Sequence, residues 1–304
     1  MAVVKKKKLR LKKKNFLIFI TCIILIITSI YYGFSLLTTP KSTKKETLST
    51  KKVAKVSKTK KELKLEKLNN IDQKIDYFNY DYIDRYIKYK EENKDLNIKQ
   101  IITEVNIGLD NPYYTNTKPS KDLNKSYILV NKYNYSDKNY IPQNLEEINT
   151  QYARDGMKLV NYAKEAFEKL AKDAKKEDLS IIAMSTYRSY NYQVNLYNRY
   201  VKEDGKEAAD TYSGRPGFSE HQSGLAVDVY NGKEDYTNFE NTKEFEWMQE
   251  NAYKYGFILR FPKDKTKQTG YEYESWHYRY VGIEIATYIH KHNLSFEEYY
   301  VQKI

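Results

Sequence analysis

The chain has 304 residues, a formal net charge of +12 and 32 tyrosines, so a packed core is available despite a polar average composition. Its single cysteine, Cys22, lies inside an apolar run, which excludes a disulfide framework, a cysteine metal site and a thiol nucleophile from the rest of the chain. Residues 1–15 carry eight basic residues and no acid; residues 41–61 carry nine lysines against Glu46; the remainder is mildly acidic. The positive balance therefore belongs to two segments and does not indicate a nucleic-acid partner.

Phe16 to Leu37 is uncharged over 22 residues. At ~1.5 Å per residue such a helix reaches about 33 Å, enough for the hydrocarbon layer of a bilayer. The basic residues before it are expected to stay cytoplasmic, which sends the C-terminal part outside. Ser35-Leu36-Leu37 makes a poor cleavage site, and Cys22 after Phe19-Ile20-Thr21 lacks the small residues of a lipidation signal, so an uncleaved anchor is expected. Lys, Thr and Ser then dominate to residue 61 without apolar periodicity, as in a flexible stalk whose charge suits anionic lipid or anionic wall polymers.

Helical spacing resumes with Leu63, Leu65, Leu68 and Ile71, then with Tyr82, Ile83, Tyr86, Ile87 and Tyr89, and again with Ile98, Ile101, Ile102 and Val105. Asn111-Pro112 and Lys118-Pro119-Ser120 mark loops. Beyond them the sequence predicts a strand at 127–130, a helix over 149–174, a strand within 179–187, a helix over 192–209 and a strand at 225–230. A helix over 243–255 closed by Gly256, strands at 257–261 and 277–281, a helix over 282–292 and a short tail complete the chain. Strands and helices mix without a βαβ rhythm, which indicates an α+β fold.

The chain has four histidines. His290 and His292 sit near the end of a lysine-flanked helix and are expected at the surface. His221 lies in Ser219-Glu220-His221-Gln222-Ser223-Gly224-Leu225-Ala226-Val227-Asp228, and His277 in Glu274-Ser275-Trp276-His277-Tyr278-Arg279-Tyr280. A catalytic zinc takes three protein ligands and leaves one position open; two imidazoles and one carboxylate are suitable donors. A turn at Gly224 can return the strand carrying Asp228 toward His221, and His277 can close the set from a distant strand. Glu274 then stands three residues from a ligand, where a general base can act without ligating. A lone histidine reads more simply as a hydrogen-bonded core residue, and Asp228 as a cap or turn; the four residues together favour the metal. There is no His-Glu-x-x-His, and neither Ser185 nor Ser189 lies in a recognised serine-hydrolase box.

These segments, with Leu129-Val130-Asn131-Lys132, Ser185-x-Tyr187-Arg188-Ser189, Gln193 and Arg215-Pro216-Gly217, resemble the metallo-carboxypeptidases of the VanY and LD-carboxypeptidase type. The resemblance covers residues 126–304. It implies the Hedgehog/DD-peptidase fold, with a small antiparallel sheet and flanking helices. It implies Zn2+ on His221, Asp228 and His277, Glu274 as catalytic base, and Arg188, Gln193 and Ser219 as substrate-binding residues. A guanidinium suits a free C-terminal carboxylate independently of any family, because it binds bidentately. Trp276 is expected to pack in the core and orient its neighbours.

The domain reading is thus a cytoplasmic tail (1–15), a transmembrane anchor (16–37), a Lys-rich stalk (38–75), a helical extension (76–125) and the zinc carboxypeptidase domain (126–304), located outside a cell membrane. The implied substrate is a peptidoglycan stem peptide ending in D-Ala. DD- and LD-specificity are not separable at this level, and an endopeptidase or a non-catalytic wall-binding module on the same scaffold are the competing readings.

Overall fold

The computed structural model of the protein describes residues 59–68 and 75–304. The anchor expected at 16–37 lies outside the described residues; among the described residues no helix is long and apolar enough to cross a membrane. Helix α1 (Lys60–Lys67) occupies part of the segment read as stalk, because Thr59 and Glu62 form a reciprocal capping box that satisfies its first turn. Leu68, just after it, is fully buried against the core formed by α2 (Ile83–Glu92) and α3 (Ile98–Ile107), where Tyr86, Tyr89, Ile101, Ile102 and Val105 meet.

A two-residue parallel pair, β1 (Lys118–Pro119) and β2 (Asn134–Tyr135), opens the next part. The strand expected at 127–130 does not form. Its apolar side chains are buried, but the Ile128 carbonyl accepts from Arg279 and the Leu129 carbonyl from Ser120, so side chains satisfy the backbone instead of a ladder. The helix expected over 149–174 is likewise shorter. Asp155 and Gly156 turn the chain, with Gly156 at φ 76°, and β3 (Leu145–Glu147) pairs antiparallel with β4 (Lys158–Val160). Helix α4 runs over Asn161–Lys175 and buries Ala163, Phe167, Leu170, Ala171 and Ala174, one stripe at helical spacing.

Strand β5 (Ile182–Ser185) leads into α5 (Tyr190–Asp204), which Gly205 at φ 84° separates from α6 (Lys206–Tyr212) where one helix was expected. Strand β6 (Ala226–Tyr230), helix α7 (Lys243–Asn251), strand β7 (Phe257–Leu259), the short helix α8 (Thr266–Thr269), strand β8 (His277–Tyr280) and helix α9 (Ile283–His292) follow. The tail is a helix, α10 (Phe296–Lys303), started by a Ser295/Glu298 capping box.

The main sheet is antiparallel in the order β5-β6-β8-β7, as the α+β reading expects. Val227 and Val229 of β6 and Tyr278 of β8 turn into the core with Phe167, Leu170 and Phe257. Because side chains alternate along a strand, the same β6 presents Asp228 to the other face. Helix α10 packs on α3 of the extension, with Gln302 donating to the Thr103 hydroxyl (3.3 Å) and Lys267 paired with Glu104 (2.9 Å).

Candidate metal centre

Strand register brings the centre together. Asp228 in the middle of β6 is flanked by Ser185 on β5 and His277 on β8. His221 comes from a 3-10 turn, Glu220–Ser223, immediately before β6. Gly224 ends that turn at φ 68°, and a Cβ there would stand 2.8 Å from Leu145, so both conformation and space require glycine.

His221, Asp228 and His277 are all buried, and one donor atom from each lies within 4.8 Å of the others. The Nδ1 of His221 is 2.6 Å from the Thr186 carbonyl, which can only accept; Nδ1 therefore carries the proton and Nε2 is left as a lone pair, 3.3 Å from Asp228 Oδ2. His277 Nδ1 stands 2.9 Å from Asp228 Oδ1, yet that oxygen has no aligned hydrogen-bond donor. The His221 Nε2 lone pair and the Asp228 carboxylate are thus brought together in the interior as two acceptors with no proton between them, an arrangement that fits a cation there. Two nitrogens and one oxygen, all buried, are the donor set of a catalytic zinc.

The electrostatics agree. Burial, aided by the Arg188 charge, pushes the His221 imidazole down to about 4, so it is the neutral, ligating form. Asp228 is held well below the usual carboxylate range: burial opposes its charge, but His221 and Arg188 outweigh it. Burial also opposes a charged His277, but contacts with Asp228 and Glu220 push it up to about 9. Its proton must leave for a metal to bind at Nδ1.

Glu274 lies on the segment before β8, its Oε2 3.6 Å from His277 Nδ1. Burial pushes its carboxyl up to about 8. Arg188 engages the other oxygen of Asp228, donating Nη2 to Oδ2 (2.6 Å), and gives Nε and Nη2 to Ser185 Oγ (2.9 and 2.6 Å). Among the described residues its Nη1 has no hydrogen bond. Gln193, buried on α5, donates to the Gly214 carbonyl (2.8 Å) and leaves its own Oε1 without a partner. Gly214 in turn lies against Ser219: a Cβ there would be 3.0 Å from the Ser219 Cα. The structure thus joins the three metal candidates, Glu274 and Arg188 directly, and Gln193 to Ser219 through Gly214. His290 and His292 are exposed, as expected.

Trp276 departs from expectation. It is half-buried and meets Tyr236 edge-to-face at 5.0 Å, outside the core, because its side chain leaves the segment opposite to the buried Ser275 and His277. The residue missed by sequence reasoning is Glu220. Its Oε2 stands 3.6 Å from His277 Nε2, both atoms otherwise unpartnered, so the carboxylate faces the ring nitrogen remote from the metal donors. Its place next to His221 was the available signal. Lys132 also gains a role: it donates to the Asp210 carbonyl (2.5 Å) and to Gly270, holding the start of the segment that bears Glu274.

The profile of VanY, D-alanyl-D-alanine carboxypeptidase, matches residues 156–283. A putative carboxypeptidase of Bacillus subtilis (strain 168), YodJ, is 41% identical over 191 residues, covering 60% of this chain and 67% of its own length. The chain belongs to the VanY D-alanyl-D-alanine carboxypeptidase family. A D-alanyl-D-alanine carboxypeptidase of Enterococcus faecalis (strain ATCC 700802 / V583) is 36% identical over 57% of this chain and 65% of its own length, so the chain spans about two thirds of these curated relatives. The solved structure of the LdcB LD-carboxypeptidase is similar at a TM-score of 0.58 and 36% identity, over 62% of this chain and 91% of that one. A VanY variant from a VanB-type resistance cassette, solved with Zn(II), is similar at 0.51 and 35%, over 58% and 98%. The chain is accordingly a hydrolase of the VanY family, with zinc as the metal that its His221, Asp228 and His277 fit.

Proposed function

We propose that the protein is a membrane-anchored carboxypeptidase that removes the C-terminal D-Ala of peptidoglycan stem peptides. The observation that carries this reading is the convergence, around one buried zinc-type donor set, of a carboxyl (Glu274) and a guanidinium (Arg188). Similarity supports it: VanYB, solved in complex with D-alanine-D-alanine, is 35% identical at a TM-score of 0.52.

His221, Asp228 and His277 would hold zinc, which would supply Lewis-acid polarisation of the scissile carbonyl. Glu274 takes the proton of the attacking water and returns it to the leaving amine of D-alanine; a bound cation would favour the carboxylate that a base requires, against the burial that otherwise keeps it protonated. Arg188 receives the terminal carboxylate through its free Nη1, which selects a chain end over an internal bond. Gln193 Oε1 and Ser219 hold the peptide beside it. The charge pattern of the sequence, basic over 1–15 and uncharged over 16–37, supports a catalytic part on the outer face of the cell membrane, and the lysines that follow suit anionic lipid or wall polymer.

The test is D-alanine release by the purified chain from stem pentapeptide and tetrapeptide separately, with and without a chelator. Chelator-sensitive release from the pentapeptide alone assigns DD-specificity, and from the tetrapeptide alone LD-specificity. Cleavage of internal bonds with no D-alanine release refutes the exopeptidase reading, and zinc binding with no cleavage at all refutes the enzymatic one.

A further inference from the structure

Behind the metal centre lies a second cluster of charge. Arg260 and Arg279 are both fully buried, and each donates to the same oxygen of Glu220, Oε1, at 2.8 Å. The terminal nitrogens of Arg260 are taken by Glu297, Nη1 to Oε2 at 2.9 Å and Nη2 to Oε1 at 2.5 Å. Glu297 belongs to the first turn of α10, the helix that closes against the extension, and Asn131 donates to it at 3.2 Å.

This arrangement decides what Glu220 can offer His277. A guanidinium held only through Nε would turn its Nε/Nη2 edge to a carboxylate and bind both oxygens, the stronger geometry. Glu297 grips the Nη1/Nη2 end of Arg260 with both of its oxygens and so fixes how the guanidinium is turned, and in that orientation Arg260 reaches Glu220 through Nε, at Oε1 alone. Oε2 of Glu220 is thereby left facing His277 Nε2. We propose that Glu297 is a positioning residue of the metal centre: by engaging Arg260 it reserves one oxygen of Glu220 for the His277 ring, so the C-terminal helix helps to set the chain's affinity for zinc. The proposal rests on the reading of His277 as a ligand. Partners one step beyond a ligand commonly govern metal affinity by about 10- to 100-fold.

The experiment measures zinc affinity of the full-length chain by competition with a chromogenic chelator, alongside thermal melting of the zinc-free form. Glu220→Gln, which removes the contact to His277 itself, is expected to bind zinc about 10- to 100-fold more weakly than wild type, and Glu297→Gln more weakly by a smaller factor, still above about twofold. The double variant should be no worse than Glu220→Gln, because both act on one contact. Glu298→Ala loses the side-chain half of the capping box and the Lys265 pair on the same turn but leaves the network alone, so it should melt earlier with unchanged affinity. If Glu297→Gln does not fold, Glu297→Asp keeps the charge but retracts it by one methylene and must still weaken zinc binding.

An affinity for Glu297→Gln within twofold of wild type, with only the melting temperature lowered, overturns the proposal. So do losses that multiply in the double variant. A wild-type chain that binds no zinc overturns the reading of His277 as a ligand, and this proposal with it.

Discussion

Two clusters of charge are buried a few ångströms apart in this molecule, and they are built to opposite rules. In the network of Arg260, Arg279, Glu220 and Glu297, every guanidinium has carboxylate partners, two acids offset two bases, and the spare N–H groups of Arg279 go to backbone carbonyls. Around Asp228 the atoms are as close but do not satisfy one another: Asp228 Oδ1 has no donor, and Glu274 is a buried acid with no hydrogen bond to its carboxyl among the described residues. A protein interior tolerates the first arrangement as scaffold. The second is costly unless a ligand completes it, which distinguishes a site from a salt-bridge network.

The contrast is sharpest in turnover. Glu274→Gln should retain zinc and lose roughly 10²–10⁴-fold in D-alanine release, the span expected of a general base; a variant with near wild-type rates removes Glu274 from the chemistry. His221→Ala should abolish stoichiometric zinc in metal analysis of the purified chain while leaving the Arg260 network able to hold the fold. If instead the chain unfolds, the two clusters are not separable.

The scaffold should fail in the opposite sense. Arg260→Met leaves Glu220 and Glu297 as buried acids without their principal partner, a change that commonly costs about 3–5 kcal/mol. Urea unfolding of the zinc-free chain measures it, and a loss below about 1 kcal/mol would place the network among ornamental ion pairs.

The remaining effect is a dependence on pH. Burial raises the Glu274 carboxyl from 4.5 to about 8 in the zinc-free fold, so the native state keeps a proton that the unfolded chain releases. The stability this group contributes is fully present below about pH 4.5 and is lost as pH rises through 8. Glu274→Gln is neutral throughout. Its melting temperature relative to wild type should therefore rise between pH 5 and pH 8 and then level; a constant difference across that range contradicts the buried, protonated state.

Much of this was legible in one dimension. His221 and Asp228 share a short segment, Glu274 and His277 another, and chemistry limits what two imidazoles and two carboxylates can do together. Strands β6, β7 and β8 and helix α9 were readable because apolar runs and punctuating glycines are local signals. Residues 127–130 misled because a buried apolar run looks like a strand whether its carbonyls face a neighbouring strand or, as here, Arg279 and Ser120. The helix over 149–174 was overextended because apolar spacing continues across Asp155-Gly156, where backbone conformation breaks it.

By itself the sequence named the candidate donors, a candidate base and the order in which the chain delivers them, since these depend on residue chemistry and near-neighbour spacing. Only the tertiary structure decided that Asp228 stands between Ser185 and His277, that Glu220 faces the back of the His277 ring, and that Glu297, from the last helix, holds the arginine behind it. Those contacts join residues 37 to 57 positions apart through strand register and helix packing, and register is a property of paired strands that no single strand carries alone.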